Sequence, residues 1–138
     1  KIGEIGMNML CFGQLDIPSV FVSGDLAAVN EAKALVPDIE CAVVKWGLEE
    51  REKLGALSIR KAISLSPSKA REVIQEKATI AIKKANGVKP FKLSPPYTLK
   101  VQYTEPKYAD QLMQREGVKR IDQTTIIQVR DKLADLVF

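Results

Sequence analysis

The residue whose setting most invites chemistry is Glu4, a carboxylate in the first turn of an otherwise apolar stretch, with Asn8 one helical turn later on the same face. Taking a carboxylate into such surroundings is costly unless a cation or hydrogen-bond donors meet it. Two readings follow. Either Glu4 serves the dipole and free amides of its own helix, or it is a metal ligand or substrate-binding group, since glutamate is an ordinary ligand for zinc and for harder cations. Ser23-Gly24-Asp25 closes a strand pattern at the end where open α/β sheets bind ligands, although Gly-Asp is equally ordinary turn chemistry. Trp46, after a second strand pattern, reads as a pocket wall or as core. Lys83, Lys84, Lys89 and Lys92 with Phe91 form the best basic patch, but a single aromatic and no RNP-like motif argue against nucleic acid.

The 138 residues include no histidine, which excludes Ser/His/Asp and Cys/His triads, HExxH zinc sites and any imidazole acid or base within this chain. A net charge of +4 is a mild excess, expected of solvated helix faces. Hydrophobic residues at 46% and charged residues at 28% are ordinary for a globular domain and exclude disorder and collagen-like structure. Cys11 and Cys41 lie in apolar runs with no CxxC spacing, so both are expected as reduced core residues of a cytoplasmic protein. No run is long enough for a membrane span and no signal-peptide pattern opens the chain. A start at Lys1, three residues before a helix, is what a piece of a longer protein would show.

The elements that must position these groups are readable in outline. Glu4–Gln14 reads as a helix apolar on most sides, hence buried, with Ile5, Met9 and Phe12 on one stripe and Met7, Leu10 and Cys11 on another face. Ile17–Ser23 is an interior strand turning at Gly24-Asp25. Leu26–Val36 is a helix stopped by Pro37, and Ile39–Lys45 a second strand. Together they form a βαβ unit, which implies a parallel or mostly parallel sheet. Trp46–Arg60, charged between Gly47 and Gly55, reads as a short exposed helix or a loop. Ser66-Pro67 starts a helix with an apolar stripe from Ala70 through Ile82 to Ala85, ending at Asn86-Gly87. Beyond a Pro-rich connector, Tyr97–Thr104 alternates as a half-exposed antiparallel strand, Pro106–Gln114 is a helix, Val118–Asp122 and Thr124–Arg130 form a hairpin, and Lys132–Phe138 a last short helix. The fold class expected is α/β, a mostly parallel sheet flanked by helices over residues 1–88. An α+β part with antiparallel strands follows over residues 89–138, packed on the same core or in an oligomer interface.

Several runs occur together and in order: GlyGluIleGlyMetAsn (Gly3–Asn8), ProSerValPheValSerGlyAsp (Pro18–Asp25), GluAlaLys (Glu31–Lys33), LeuSerPro (Leu65–Pro67), ProPheLysLeuSerProProTyrThrLeu (Pro90–Leu99) and GlyValLysArgIleAsp (Gly117–Asp122). In this the chain resembles the C-terminal half of the DppA-type D-aminopeptidases, a zinc metallopeptidase family. The resemblance implies a cytoplasmic enzyme with two zinc ions per site that releases N-terminal D-residues from short peptides and assembles as a ring-stacked decamer. It also implies that Glu4 is a metal ligand; Asn8, on the same helix face, and Asp25, at the strand end, stand beside it as candidate substrate-binding residues on their placement. The remaining ligands, an Asp-x-Glu pair and histidines, and the catalytic histidine would belong to the N-terminal half. No catalytic residue is therefore expected in this chain, which alone should be inactive.

The sequence departs from the family pattern at Leu26, Trp46 and Gln123, where the resemblance leads one to expect an Asp, an acidic residue and a hairpin glycine, and Glu49–Leu57 looks like an insertion. These departures bear on substrate preference and activity. The alternatives are a non-catalytic assembly module with the same fold and, further off, a basic RNA-binding α/β domain.

Overall fold

A computed structural model describes residues 2–54 and 57–136, with side chains left out of account from 50 to 60. The chain divides into two compact units, residues 1–92 and 93–138.

In the first unit, helix α1 (Glu4–Gln14) is followed by strand β1 (Phe21–Asp25), helix α2 (Leu26–Leu35), strands β2 (Glu40–Leu54) and β3 (Leu57–Ser64), and helix α3 (Pro67–Lys84). β1 starts at Phe21 rather than Ile17 because Pro18 has no N–H to give a ladder. The expected βαβ unit is present: β1 and β2 run parallel, Phe21 opposite Glu40 through Gly24 opposite Val43. The sheet as a whole is not mostly parallel, however. Its order is β1-β2-β3, and β3 pairs antiparallel with β2. The stretch expected as a helix or loop over Trp46–Arg60 is the far part of this hairpin, with Trp46 opposite Ile63 and Arg51 opposite Arg60. Its charged composition suits any exposed element, and here the backbone amides are satisfied across the hairpin, so no apolar run is needed to announce a strand.

One core gathers these elements. Met9, Ala32, Val36, Ile39 and Val88 are buried together, with Ile5, Val22, Leu35 and Phe91 packed around them. α1 is covered on one side only: Gly6, Met9, Leu10 and Gly13 are buried, whereas Phe12 is 50% exposed and Cys11 is exposed. The expectation of a helix buried on most sides, with Cys11 in the core, is thereby corrected; a continuous apolar composition does not say which flank meets a neighbour. α3 starts as read, Ser66 Oγ accepting from the Lys69 amide and Pro67 filling the first turn. Only Ala81 of its stripe is fully buried, and Ile82 is 75% exposed. Asp16 closes the turn after α1 at φ 61°, a left-handed conformation that aspartate tolerates.

Small residues permit the closest approaches. A Cβ on Gly13 would run into the backbone carbonyl of Phe91, so the helix and the segment leaving the unit touch backbone to backbone.

The second unit holds a separate antiparallel sheet, order β4-β6-β5, made of β4 (Tyr97–Gln102), β5 (Val118–Arg120) and β6 (Thr125–Arg130), with helix α4 (Pro106–Leu112). The alternation expected in β4 is seen, with Tyr97 buried and every second residue exposed. Ala109, Val118 and Ile126 make its core with Val101, Tyr103 and Leu112. The closing helix expected over Lys132–Phe138 is a single 3-10 turn, Leu133–Asp135, its last two residues lying outside the described part. The β5–β6 turn tolerates Gln123 because it needs no left-handed residue there. Asp122 Oδ1 holds it instead, accepting from the amides of Thr124 (2.9 Å) and Thr125 (2.8 Å). No helix among the described residues is long and apolar enough to cross a membrane.

Two outcomes are expected. Gly13→Ala gains helix propensity but must push Phe91 away, and thermal denaturation should show a net loss of about 1–3 kcal/mol. Gly87→Ala, with open space around it, should stay within about 0.5 kcal/mol. In the hairpin, the Thr124 amide first, then hydrogen bonds from Thr125, hold the Asp122 carboxyl below its ordinary pKa. A folded pKa below the unfolded one means that this contribution is present above the ordinary carboxylate range and is lost as pH falls through the lowered value. Carboxyl-detected NMR should therefore find the Asp122 midpoint below that of a model aspartate, with Thr124 and Thr125 amide shifts moving at the same midpoint.

Candidate functional site

α1 presents Glu4 and Asn8 one turn apart on an exposed face, as the spacing requires. Among the described residues the Glu4 carboxylate has no hydrogen bond or ion pair. The capping work that Glu4 was a candidate to do is done by a residue from another helix. Glu31 of α2 reaches across, and its Oε1 accepts from the Gly3 amide at 2.6 Å and from the Gly6 amide at 3.0 Å.

These two amides are those of the N-cap and of the third helical residue, the pair that a capping box normally satisfies from within its own helix. Neither glycine has a side chain to do so, and both make room for the visitor. A Cβ on Gly3 would lie 2.6 Å from Glu31 Oε2; one on Gly6 would lie 2.7 Å from Leu35 Cδ1 and 3.0 Å from Glu31 Oε1. Sequence reasoning passed over Glu31. Its signal was available, since a glutamate three residues after Ala28 and four before Leu35 sits on the stripe that α2 turns toward its neighbours.

Asp25 ends β1 and caps α2, its Oδ1 accepting from the Ala28 amide at 2.8 Å. Strand and helix meet with no loop between them. Leu26 is the first residue of α2 and is exposed; Trp46 is half-buried on β2. The structure thus brings Glu4 and Asn8 together and turns the Asp25 carboxylate onto its own helix.

The lysines have structural work. Lys33, Lys83 and Lys84 stand at the C-terminal ends of α2 and α3, beside a shallow hollow that also exposes Glu40, where they oppose the carbonyl ends of the helix dipoles. Lys84 Nζ is 2.6 Å from Glu40 Oε1, and this hydrogen bond, helped by the charges of Lys84, Lys77 and Lys33, holds the Glu40 carboxyl below its ordinary pKa. Lys92 pairs with Asp16, and Phe91 packs against the core cluster.

Among the described residues no three His, Cys, Asp or Glu side chains converge on a point. A zinc site takes three or four protein ligands, so Glu4 suits zinc as one donor but the described residues do not make a complete site. What the geometry defines, among the described residues, is a mixed α/β unit that presents the unencumbered Glu4 carboxylate from the first turn of a helix.

Comparison with known proteins gives this arrangement its family. The D-aminopeptidase family, peptidase M55, matches residues 1–137, and the chain belongs to it. It is 31% identical over 134 residues to the D-aminopeptidase of Bacillus subtilis (strain 168), a match covering 95% of this chain and 44% of that enzyme. Among solved structures it superposes with a TM-score of 0.83 and 25% identity on the Zn-dependent D-aminopeptidase DppA from Bacillus subtilis, a self-compartmentalizing protease, over 97% of this chain and 46% of the other. The chain spans less than half the length of these relatives, corresponding to their C-terminal part. The fold and family read from the sequence are thereby shown, as is membership of a hydrolase family.

The Asp25 cap gives a test of its own. Asp25→Ala should cost about 1 kcal/mol in urea denaturation, whereas Asp25→Asn, which keeps the acceptor, should cost a few tenths at most.

Proposed function

We propose that this chain is the C-terminal part of a zinc-dependent D-aminopeptidase subunit that releases N-terminal D-residues from short peptides. In this reading Glu4 lends one carboxylate to a two-zinc centre, and Asn8, one turn along the same face, meets the peptide beside it. The observation that carries the reading is the family match over residues 1–137. The freedom of the Glu4 carboxylate from capping duty, which leaves it able to bind a cation, adds support. Zinc, when bound, supplies an activated water and a polarised scissile carbonyl. The chain's own contribution is to hold Glu4 on a fixed helical turn and to build the fold behind it. One carboxylate cannot hold two zinc ions, so the chain by itself is inert, and the other ligands come from the N-terminal part of the subunit. The subunit works in the cytoplasm and self-associates as its self-compartmentalizing relative does, in the decamer that the resemblance implies.

The test compares the 138-residue chain with the product that includes any in-frame coding sequence upstream of Lys1. The isolated chain should neither hydrolyse D-alanyl dipeptides nor retain stoichiometric zinc. The extended product should hydrolyse them and carry about two zinc ions per subunit by elemental analysis, and Glu4→Ala should abolish turnover and lower the zinc content. Full activity from the isolated chain would overturn the division of labour. A folded, metal-free extended product would favour a non-catalytic assembly module.

A further inference from the structure

The Glu31 carboxylate belongs to neither the motif that contains Glu4 nor the helix that carries it, yet it is the group that closes the first turn of that helix. One oxygen performs both halves of a capping box, accepting from Gly3 N–H and Gly6 N–H at 2.6 and 3.0 Å. Such bonds to a charged acceptor are stronger than neutral ones, and a negative charge at a helix N-terminus is favoured by the dipole. The contact is specific in shape as well as charge. The space that Cβ atoms of Gly3 and Gly6 would fill is filled by Glu31 and, one turn along α2, by Leu35. Between those two glycines lies Glu4, whose backbone direction is set by the turn they close.

We infer that Glu31 is a positioning residue for the metal centre: by capping α1 from α2 it fixes the turn that aims Glu4 and relieves the Glu4 carboxylate of capping its own helix. The two glycines of GlyGluIleGly are then the cradle of a carboxylate that arrives from elsewhere in the chain. A helix capped by its own glutamate at this turn would spend the very group a cation needs. The inference rests on the reading of Glu4 as a ligand, but the clamp itself can be tested apart from it.

The experiment uses the extended product containing this chain, with zinc alone as the probe, titrated in competition with a chromophoric chelator. A second readout is hydrogen exchange of the Gly6 amide. Glu31→Ala should speed Gly6 exchange and weaken zinc binding by on the order of 10–100-fold, the usual cost of losing a group that orients a ligand. Glu31→Gln, which keeps an acceptor, should restore most of both. Gly3→Ala leaves Glu31 in place but intrudes on its carboxylate, so it provides a milder variant should Glu31→Ala fold poorly. It should shift both readouts the same way, and the double variant should be little worse than Glu31→Ala alone. Gly13→Ala, remote from this turn and destabilising for another reason, should leave zinc affinity unchanged.

Unaltered Gly6 exchange in Glu31→Ala would overturn the clamp. Faster exchange with zinc affinity within twofold of the parent, or a loss no larger than in Gly13→Ala, would reduce Glu31 to a structural cap and overturn the positioning role. Glu4→Ala run in parallel separates the two claims. If it keeps full zinc affinity the ligand assignment fails, and with it the positioning role, whatever the exchange data say of the clamp.

Discussion

The contact between α1 and α2 sets the terms for the first unit. It is made by a carboxylate and a leucine on one helix and by two glycines on the other, so that polar satisfaction and close packing are achieved at the same place. A helix leaves its first amides without partners, and in a turn whose N-cap and third residue are both glycine nothing local can supply them. Glu31 supplies them across the interface. Ala32, next to it on α2, is wholly buried in the core cluster that includes Met9 of α1. The core of Met9, Val36 and Ile39 then lies behind this contact, under the protection of the same two helices.

Elsewhere in each unit the polar groups divide between fold and surface. Asp25, Ser66 and Asp122 each satisfy a helix or turn in their own neighbourhood. The lysines at the ends of α2 and α3 balance the carbonyl ends of those helices. Glu4 is different in kind: it occupies a helical position where carboxylates usually cap, and it does not cap. The metal role proposed for Glu4 rests on this exception together with membership of the D-aminopeptidase family.

What was legible in the sequence follows the range of the interactions. Ser66-Pro67 announced its helix because cap and first turn are decided within four residues, and the alternation from Tyr97 announced a strand because one face of it is wet. The βαβ unit could be read because both strands are short, apolar and bounded. The β2–β3 hairpin could not, since its charged residues are stabilised by cross-strand backbone bonds that leave no trace in hydropathy. The outward flank of α1 misled for the complementary reason: Cys11 and Phe12 are apolar but face away from the core. At the candidate site, Glu4 and Asn8 stood out by type and spacing, whereas the place of Glu31 on the packed stripe of α2 showed that it meets a neighbour but not which one. Its partners lie on a different helix, and no local pattern connects them.

The backbone contact between Gly13 and Phe91 joins the beginning of the first unit to its end. Within this chain α1 is made long before Phe91, so the segment that completes its socket is among the last of the unit to be synthesised. The contact of α1 with α2 joins neighbours in sequence, whereas that of Gly13 with Phe91 closes a loop spanning most of the unit, and its closure is among the late costs of folding. Until that loop closes, Gly13 lacks the backbone neighbour that its missing side chain makes room for. The length of chain between the two residues thus bears on how fast the unit closes, and the contact itself on how firmly it stays closed.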